Sequence, residues 1–169
     1  MSEKPSDIST PPQLETPTLL LDENLSSHDI AMFLRRLPHD WKIELHTDHL
    51  PRGLEDVEVI KACAKHGWTL ISCDDRIRFV PQNKKAVLDA GIRAFMFHDG
   101  NHQGVEYAAA LIVGLKHIIQ TIRKNAGPVL ARIQMHGDVT MFHPPQPKTA
   151  GELSSREKTA RKYGKKVHE

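Results

Sequence analysis

The chain has 169 residues, 39% of them hydrophobic and 26% charged, which suits one soluble domain with a real core. Its net charge of +2 is unevenly spread: residues 1–17 sum to −2, residues 18–143 balance, and residues 144–169 carry seven basic against three acidic side chains. The longest apolar run, 107–115, is too short to span a bilayer and the N-terminus has no apolar signal core, so a cytoplasmic protein without a membrane segment is expected.

Residues 1–17 are rich in Pro, Ser and Thr without periodicity, and are expected to be a disordered segment. The apolar run Thr18-Leu19-Leu20-Leu21 then stops abruptly in Asp22-Glu23-Asn24. Such a run fits a strand buried on both faces, with the acids where the chain leaves the sheet. Ser26 or Ser27 can cap a following helix, in which Ile30, Phe33, Leu34 and Leu37 recur at core-facing spacing until Pro38 ends it.

Residues 41–46 alternate apolar and polar, predicting a less buried strand nearer a sheet edge that runs into Thr47-Asp48-His49. The turn Pro51-Arg52-Gly53 leads to a helix over 55–66, with Val57, Ile60, Cys63 and Ala64 on one face and Gly67 as its stop. Asp56 falls in its first turn, where a carboxylate also suits the helix dipole. Residues 68–73 predict another strand, ending in Asp74-Asp75. A basic link containing Arg76, Arg78, Lys84 and Lys85 precedes a short helix through Val87 and Leu88, stopped at Gly91.

A fourth strand over 92–97 ends at His98-Asp99-Gly100. The longest helix is predicted over 104–125, with Val105, Ala108, Ile112, Leu115, Ile119 and Ile122 inward and Gly127-Pro128 beyond its end. Apolar segments on either side of His136-Gly137-Asp138 predict a hairpin. Beyond residue 143 the composition returns to that of a basic, disordered tail suited to a polyanion or an acidic partner. Strands alternating with helices predict an α/β fold with a mainly parallel central sheet flanked by helices in three layers, plus the extra long helix and C-terminal hairpin.

Cys63 and Cys73 form no metal or redox motif and read as buried thiols. The eleven histidines lack metal-binding spacing. The acids behave differently. If the strands are parallel, Asp22, Asp48, Asp74 and Asp99 follow strand ends on one edge, and Asp56 begins a helix that starts from it. Any one of them alone is best read as a cap or turn residue. Five in one crevice repel one another unless a cation neutralises them, and a hard ion such as Mg²⁺ or Mn²⁺ takes oxygen ligands of this kind. Asp22 and Asp74 directly follow their strands, so each is set to point inward, whereas Glu23 is expected to point the other way.

Leu20-Leu21-Asp22-Glu23-Asn24-Leu25, Gly53-Leu54-Glu55-Asp56-Val57-Glu58-Val59-Ile60 and Leu70-Ile71-Ser72-Cys73-Asp74-Asp75-Arg76 together resemble the PIN-like domains, in particular the branch of VapC-type toxins. The resemblance covers residues 18–100. It implies a metal-dependent endoribonuclease in which Asp22, Asp56 and Asp74 hold Mg²⁺ or Mn²⁺, and often a homodimer with an antitoxin protein as partner. The family pattern has a further acid shortly after the position of Asp74. Here Asp75 is adjacent, and Arg76, Ile77, Arg78 and Phe79 follow.

On this reading the three acids bind the ion, one of them or Asp75 orients or deprotonates water, and Arg52, Arg76, Arg78, Lys84 and Lys85, on loops near the crevice, hold RNA phosphates. Each of these bases, taken singly, reads as a solvated surface charge. With aromatic residues at 5% and no evident stacking platform, recognition is expected to be directed at the RNA backbone. A competing reading keeps the fold and loses the chemistry, as a degenerate PIN-like module that binds RNA or protein. A phosphoacceptor receiver domain fits poorly, because residues 92–99 offer no lysine at the strand end.

Overall fold

A computed structural model of the protein describes residues 16–37, 40–98 and 102–144. The expectations for residues 1–15 and 145–169, and for Asp99, lie outside the described residues. Six strands form one sheet: β1 (Thr18–Leu21), β2 (Lys42–Leu45), β3 (Trp68–Ser72), β4 (Arg93–Phe97), β5 (Val129–Ile133) and β6 (Val139–His143). Their spatial order is β2-β1-β3-β4-β5-β6. All neighbours run parallel except β5 and β6, which make the antiparallel hairpin. The amphipathic strand β2 is indeed at an edge.

Among the described residues six helices accompany the sheet: α1 (His28–Arg36), α2 (His46–His49), α3 (Asp56–His66), α4 (Arg76–Phe79), α5 (Pro81–Ala90) and α6 (Gly104–Lys124). Alternation along the strands divides the core into two layers. Leu19, Leu21, Ile71, Phe95 and Phe97 pack with Ala31 and Leu34 of α1 and with the inner residues of α6. Leu20, Leu70, Ala94, Met96 and Leu130 face the other way, against Val59, Ile60 and Cys63 of α3, Ile77 of α4 and Val87 of α5. Strands covered on both faces need apolar residues at every position, which is why their sequence runs are continuous.

The chain leaves β1 toward α1 on one face and leaves β3 toward α4 and α5 on the other. A crevice therefore opens between the C-terminal ends of these two adjacent strands, the usual position of a ligand site in an open α/β sheet.

The helix faces differ from the sequence reading in detail. Phe33 is 52% exposed and Val105 is 70% exposed, although their spacing puts both on inner stripes. Around the α6 axis the buried stripe runs through Tyr107, Leu111, Leu115, Ile118 and Ile122. In α3 the buried residues are Val59, Ile60 and Cys63, and Ala64 faces solvent. Spacing alone therefore does not fix which apolar residues of a helix are covered. By length and composition α6 is apolar enough to cross a membrane, at 21 residues and mean hydropathy 1.3, yet its inner face covers this sheet.

The end of β2 also differs. Residues 46–49 leave the strand early and coil into α2, so Asp48 sits exposed on a helical turn away from the crevice. The basic link is likewise helical: Arg76 and Arg78 lie on α4, and Lys84 and Lys85 on α5, leaving only Arg52 on a loop. Both cysteines are free, and burial raises each thiol pKa to about 12, so both are inert at neutral pH.

Candidate functional site

Asp22 follows Leu20 by two positions and so points toward the α3 side of the sheet. Hydrogen bonds from neighbouring donors hold its carboxylate. Oδ1 accepts the Leu25 N–H at 3.0 Å, and Oδ2 accepts the Ser72 hydroxyl at 2.5 Å and the Cys73 N–H at 3.1 Å. Burial nevertheless dominates and raises its pKa above the usual aspartate value. The Ser72 hydroxyl also accepts the Asp74 N–H at 2.9 Å, so one serine ties the two strand-end acids together.

Asp74 continues the alternation through Leu70 and Ser72, and it enters the same crevice. The Arg76 guanidinium clasps it, with Nε 3.0 Å from Oδ1 and 2.7 Å from Oδ2 and the terminal nitrogen closer still. These bonds lower the Asp74 pKa. Asp56, the first residue of α3, completes the set. Its Oδ2 accepts the Asn83 side-chain N–H of α5 at 2.6 Å. Burial first and the neighbouring Asp74 charge second raise its pKa, which shows that the two carboxylates sense each other.

These residues line a cleft of about 890 Å³. Its walls carry six carboxylates, from Asp22, Glu23, Glu55, Asp56, Glu58 and Asp74, against the bases Lys61 and Arg76. Lys61 pairs with Glu58 at 2.6 Å and Arg76 with Asp74, so the remaining acids leave the cleft strongly negative. Glu23 is turned inward after all, because its Oε2 accepts the Gly53 N–H at 2.8 Å across the cleft mouth.

The structure separates the other residues singled out in the sequence. Asp75, one step past Asp74, takes the opposite direction and lies 3.7 Å from Arg78 and 3.9 Å from His98, outside the cleft lining. Arg78 goes with it. Arg52 is exposed beside Gly53, and Lys84 is exposed on α5. Lys85 pairs with Asp89 one turn along the same helix. Of the five bases, Arg76 is the one that lines the cleft.

Residues 17–99 match a family model described as a PIN-like domain. The match contains β1 through β4 and every cleft-lining residue. Residues 17–99 form a PIN-like domain. No curated protein and no solved structure matches the chain.

Within the PIN-like domain, the three acids implied by the sequence resemblance come from three separate segments and share one cleft. As donors they fit a hard divalent cation: all are oxygen ligands, and Asp56 and Asp74 repel each other, with the Arg76 charge and the Asn83 hydrogen bond partly offsetting this at Asp56. Among the described residues, no three His, Cys, Asp or Glu side chains are gathered closely enough to coordinate one ion as they stand. Arg76 supplies the positive charge at Asp74, and its side chain is 74% exposed.

Ser72 and Asn83 are the site residues that the sequence did not suggest. Ser72 was signalled weakly, as a polar residue two before Asp74 on the same strand face. Asn83 carried no signal, since its reach to Asp56 depends on how α5 packs beside α3.

Proposed function

We propose that this protein is a divalent-metal-dependent endoribonuclease that hydrolyses RNA phosphodiester bonds. The observation that carries the reading is the convergence of Asp22, Asp56 and Asp74, from β1, α3 and the end of β3, on a single cleft of a PIN-like domain. A cleft with six carboxylates repels a polyanion, so RNA needs a bridging cation to approach it.

Asp22, Asp56 and Asp74 would hold the ion, Mg²⁺ or Mn²⁺. Bound there, it would supply a lowered water pKa and charge neutralisation at the scissile phosphate. Ser72 and Asn83 fix the orientations of Asp22 and Asp56 before substrate arrives, which is the preorganisation that such a site requires. Once Asp74 held the ion, Arg76 would be released from it and would be available to a phosphate oxygen. Asp75 is turned away, so orienting or deprotonating the attacking water falls to the cleft acids.

The finer proposal is that the protein is the toxin of a toxin-antitoxin pair, a homodimer held inactive by an antitoxin. Overproduction is then expected to arrest growth, and Asp74→Asn to relieve the arrest. Growth arrest of equal depth in that variant, at equal protein level, contradicts it.

A specific observation favours one second reading. The Arg76 clasp on Asp74 and the outward Asp75 suit a PIN-like module that has given up catalysis and binds RNA or protein. Calorimetric titration with Mn²⁺ separates the two. The nuclease requires binding that weakens in Asp56→Asn and Asp74→Asn, and the silent module predicts no such binding.

A further inference from the structure

Helix α4 divides its residues between two surfaces. Arg76 and Ile77 line the acidic cleft, whereas Arg78 and Phe79 do not. The Arg78 guanidinium lies 3.9 Å from the centre of the Phe79 ring and 4.5 Å from that of Phe142, and Arg132 lies 5.3 Å from Phe142. Two cations thus share the Phe142 ring, and Phe79, the fourth member of the cluster, is 63% exposed.

The register explains how residues so distant in sequence meet. Arg132 of β5 pairs with Thr140 of β6, and Phe142 falls where the register shifts, between Met141, opposite Ala131, and His143, opposite Leu130; this irregularity sets its ring near Arg132. Arg132 also follows Leu130 by two, which puts it on the sheet face that carries Asp22 and Asp74. The aromatic and guanidinium groups therefore lie on the same side of the sheet as the cleft, with α4 between them.

The charges there do not cancel. Asp75 is the carboxylate facing Arg78, at 3.7 Å, and it also faces His98 at 3.9 Å. Arg78 feels both its burial and the repulsion of Arg132, and each lowers its pKa. Two arginines against one carboxylate, with a histidine and the exposed Phe79 beside them, leave this cluster of described residues with an excess of positive charge. An RNA strand suits both features, since its phosphates neutralise guanidinium groups and its bases stack on exposed rings.

We propose that Arg78, Phe79, Arg132 and Phe142 form a second binding surface, a stacking and phosphate subsite for single-stranded RNA across α4 from the acidic cleft. The proposal rests on the reading of RNA as ligand and is independent of catalysis. It replaces the expectation that recognition is directed at the backbone alone. Half of the subsite, Arg132 and Phe142, lies beyond the span matched by the family model.

The test is fluorescence anisotropy with a labelled oligouridine in EDTA, which excludes metal-dependent cleavage, using the full chain. Phe79 is exposed, so Phe79→Ala is expected to fold normally, as circular dichroism will show, and to bind roughly 5- to 100-fold more weakly, as for loss of one stacked base. Arg132→Gln is expected to reduce the slope of log affinity against log salt by roughly 0.7, the value for one single-strand phosphate contact. A duplex of the same length is expected to bind more weakly than the single strand.

Binding by Phe79→Ala within twofold of the parent overturns the proposal. So does equal affinity for duplex and single strand, or a Phe79 dependence that appears with polyglutamate and not with RNA. Should the parent bind oligouridine through Phe79 and yet never cleave RNA with Mn²⁺, the subsite stands and the nuclease reading fails.

Discussion

The Ser72 hydroxyl donates to Asp22 Oδ2 at 2.5 Å and so joins the end of β3 to the acid that ends β1. The same oxygen accepts the Asp74 N–H, which makes Ser72 the hinge of the acidic cleft. Ser72→Ala removes a donor from a part-buried carboxylate and an acceptor from a backbone N–H. The loss is expected to destabilise the fold by about 1–3 kcal/mol in urea denaturation. A variant as stable as the parent would show that the hydroxyl holds nothing.

Arg76 supplies the positive charge at Asp74 in this structure. Arg76→Gln leaves Asp74 and Asp56 to repel each other, so its Mn²⁺ affinity, measured by calorimetry, is expected to rise several-fold. Unchanged or weaker binding would mean that the guanidinium does not compete with the ion.

Burial raises the pKa values of Asp22 and Asp56 above the aspartate value of 3.8. In metal-free protein the native chain therefore binds more protons than the unfolded chain just above that pH. This contribution to stability is complete below 3.8 and is lost as pH rises through the raised values. Asp74, whose pKa is lowered, acts in the opposite sense and below 3.8. The melting temperature in EDTA is expected to fall as pH rises from about 4 toward neutrality. Asp22→Asn flattens that slope, and added Mn²⁺ reverses it. A slope of the same size in Asp22→Asn would place its origin elsewhere.

Gly114 of α6 lies against the β5–β6 turn. A Cβ there would sit 2.9 Å from the Gly137 carbonyl oxygen, and Gly137 is held at φ +94°. The contact is with backbone, so the turn itself has to move. Gly114→Ala is expected to cost about 1–3 kcal/mol in stability, through overpacking that also displaces the hairpin carrying Phe142. Thermal melting checks this, and an unchanged melting temperature would show that helix and turn part easily.

The strands were legible because burial on both faces writes continuous apolar runs, as in Thr18–Leu21, and because glycines mark helix ends, as Gly67 and Gly91 do with φ near +70°. The alternating side chains of a strand also made Asp22 and Asp74 recognisable as inward acids. The same alternation turns Asp75 outward, and the sequence reading did not apply it there. What was illegible depends on packing between distant segments: the reach of Asn83 to Asp56 and the meeting of Arg78 with Phe142. The exposure of Phe33 and Val105 shows that amphipathic spacing does not reveal how far neighbouring elements cover a helix.

Cleavage of a fluorogenic RNA oligonucleotide tests the central claim most directly, with Mn²⁺ against EDTA, in the parent and in Asp56→Asn and Asp74→Asn variants shown to be folded. The three-acid cleft predicts cleavage that requires Mn²⁺ and falls at least ~100-fold in each variant, as for loss of a group acting in the transition state. Cleavage that persists in EDTA, or that is unchanged in both variants, would contradict it.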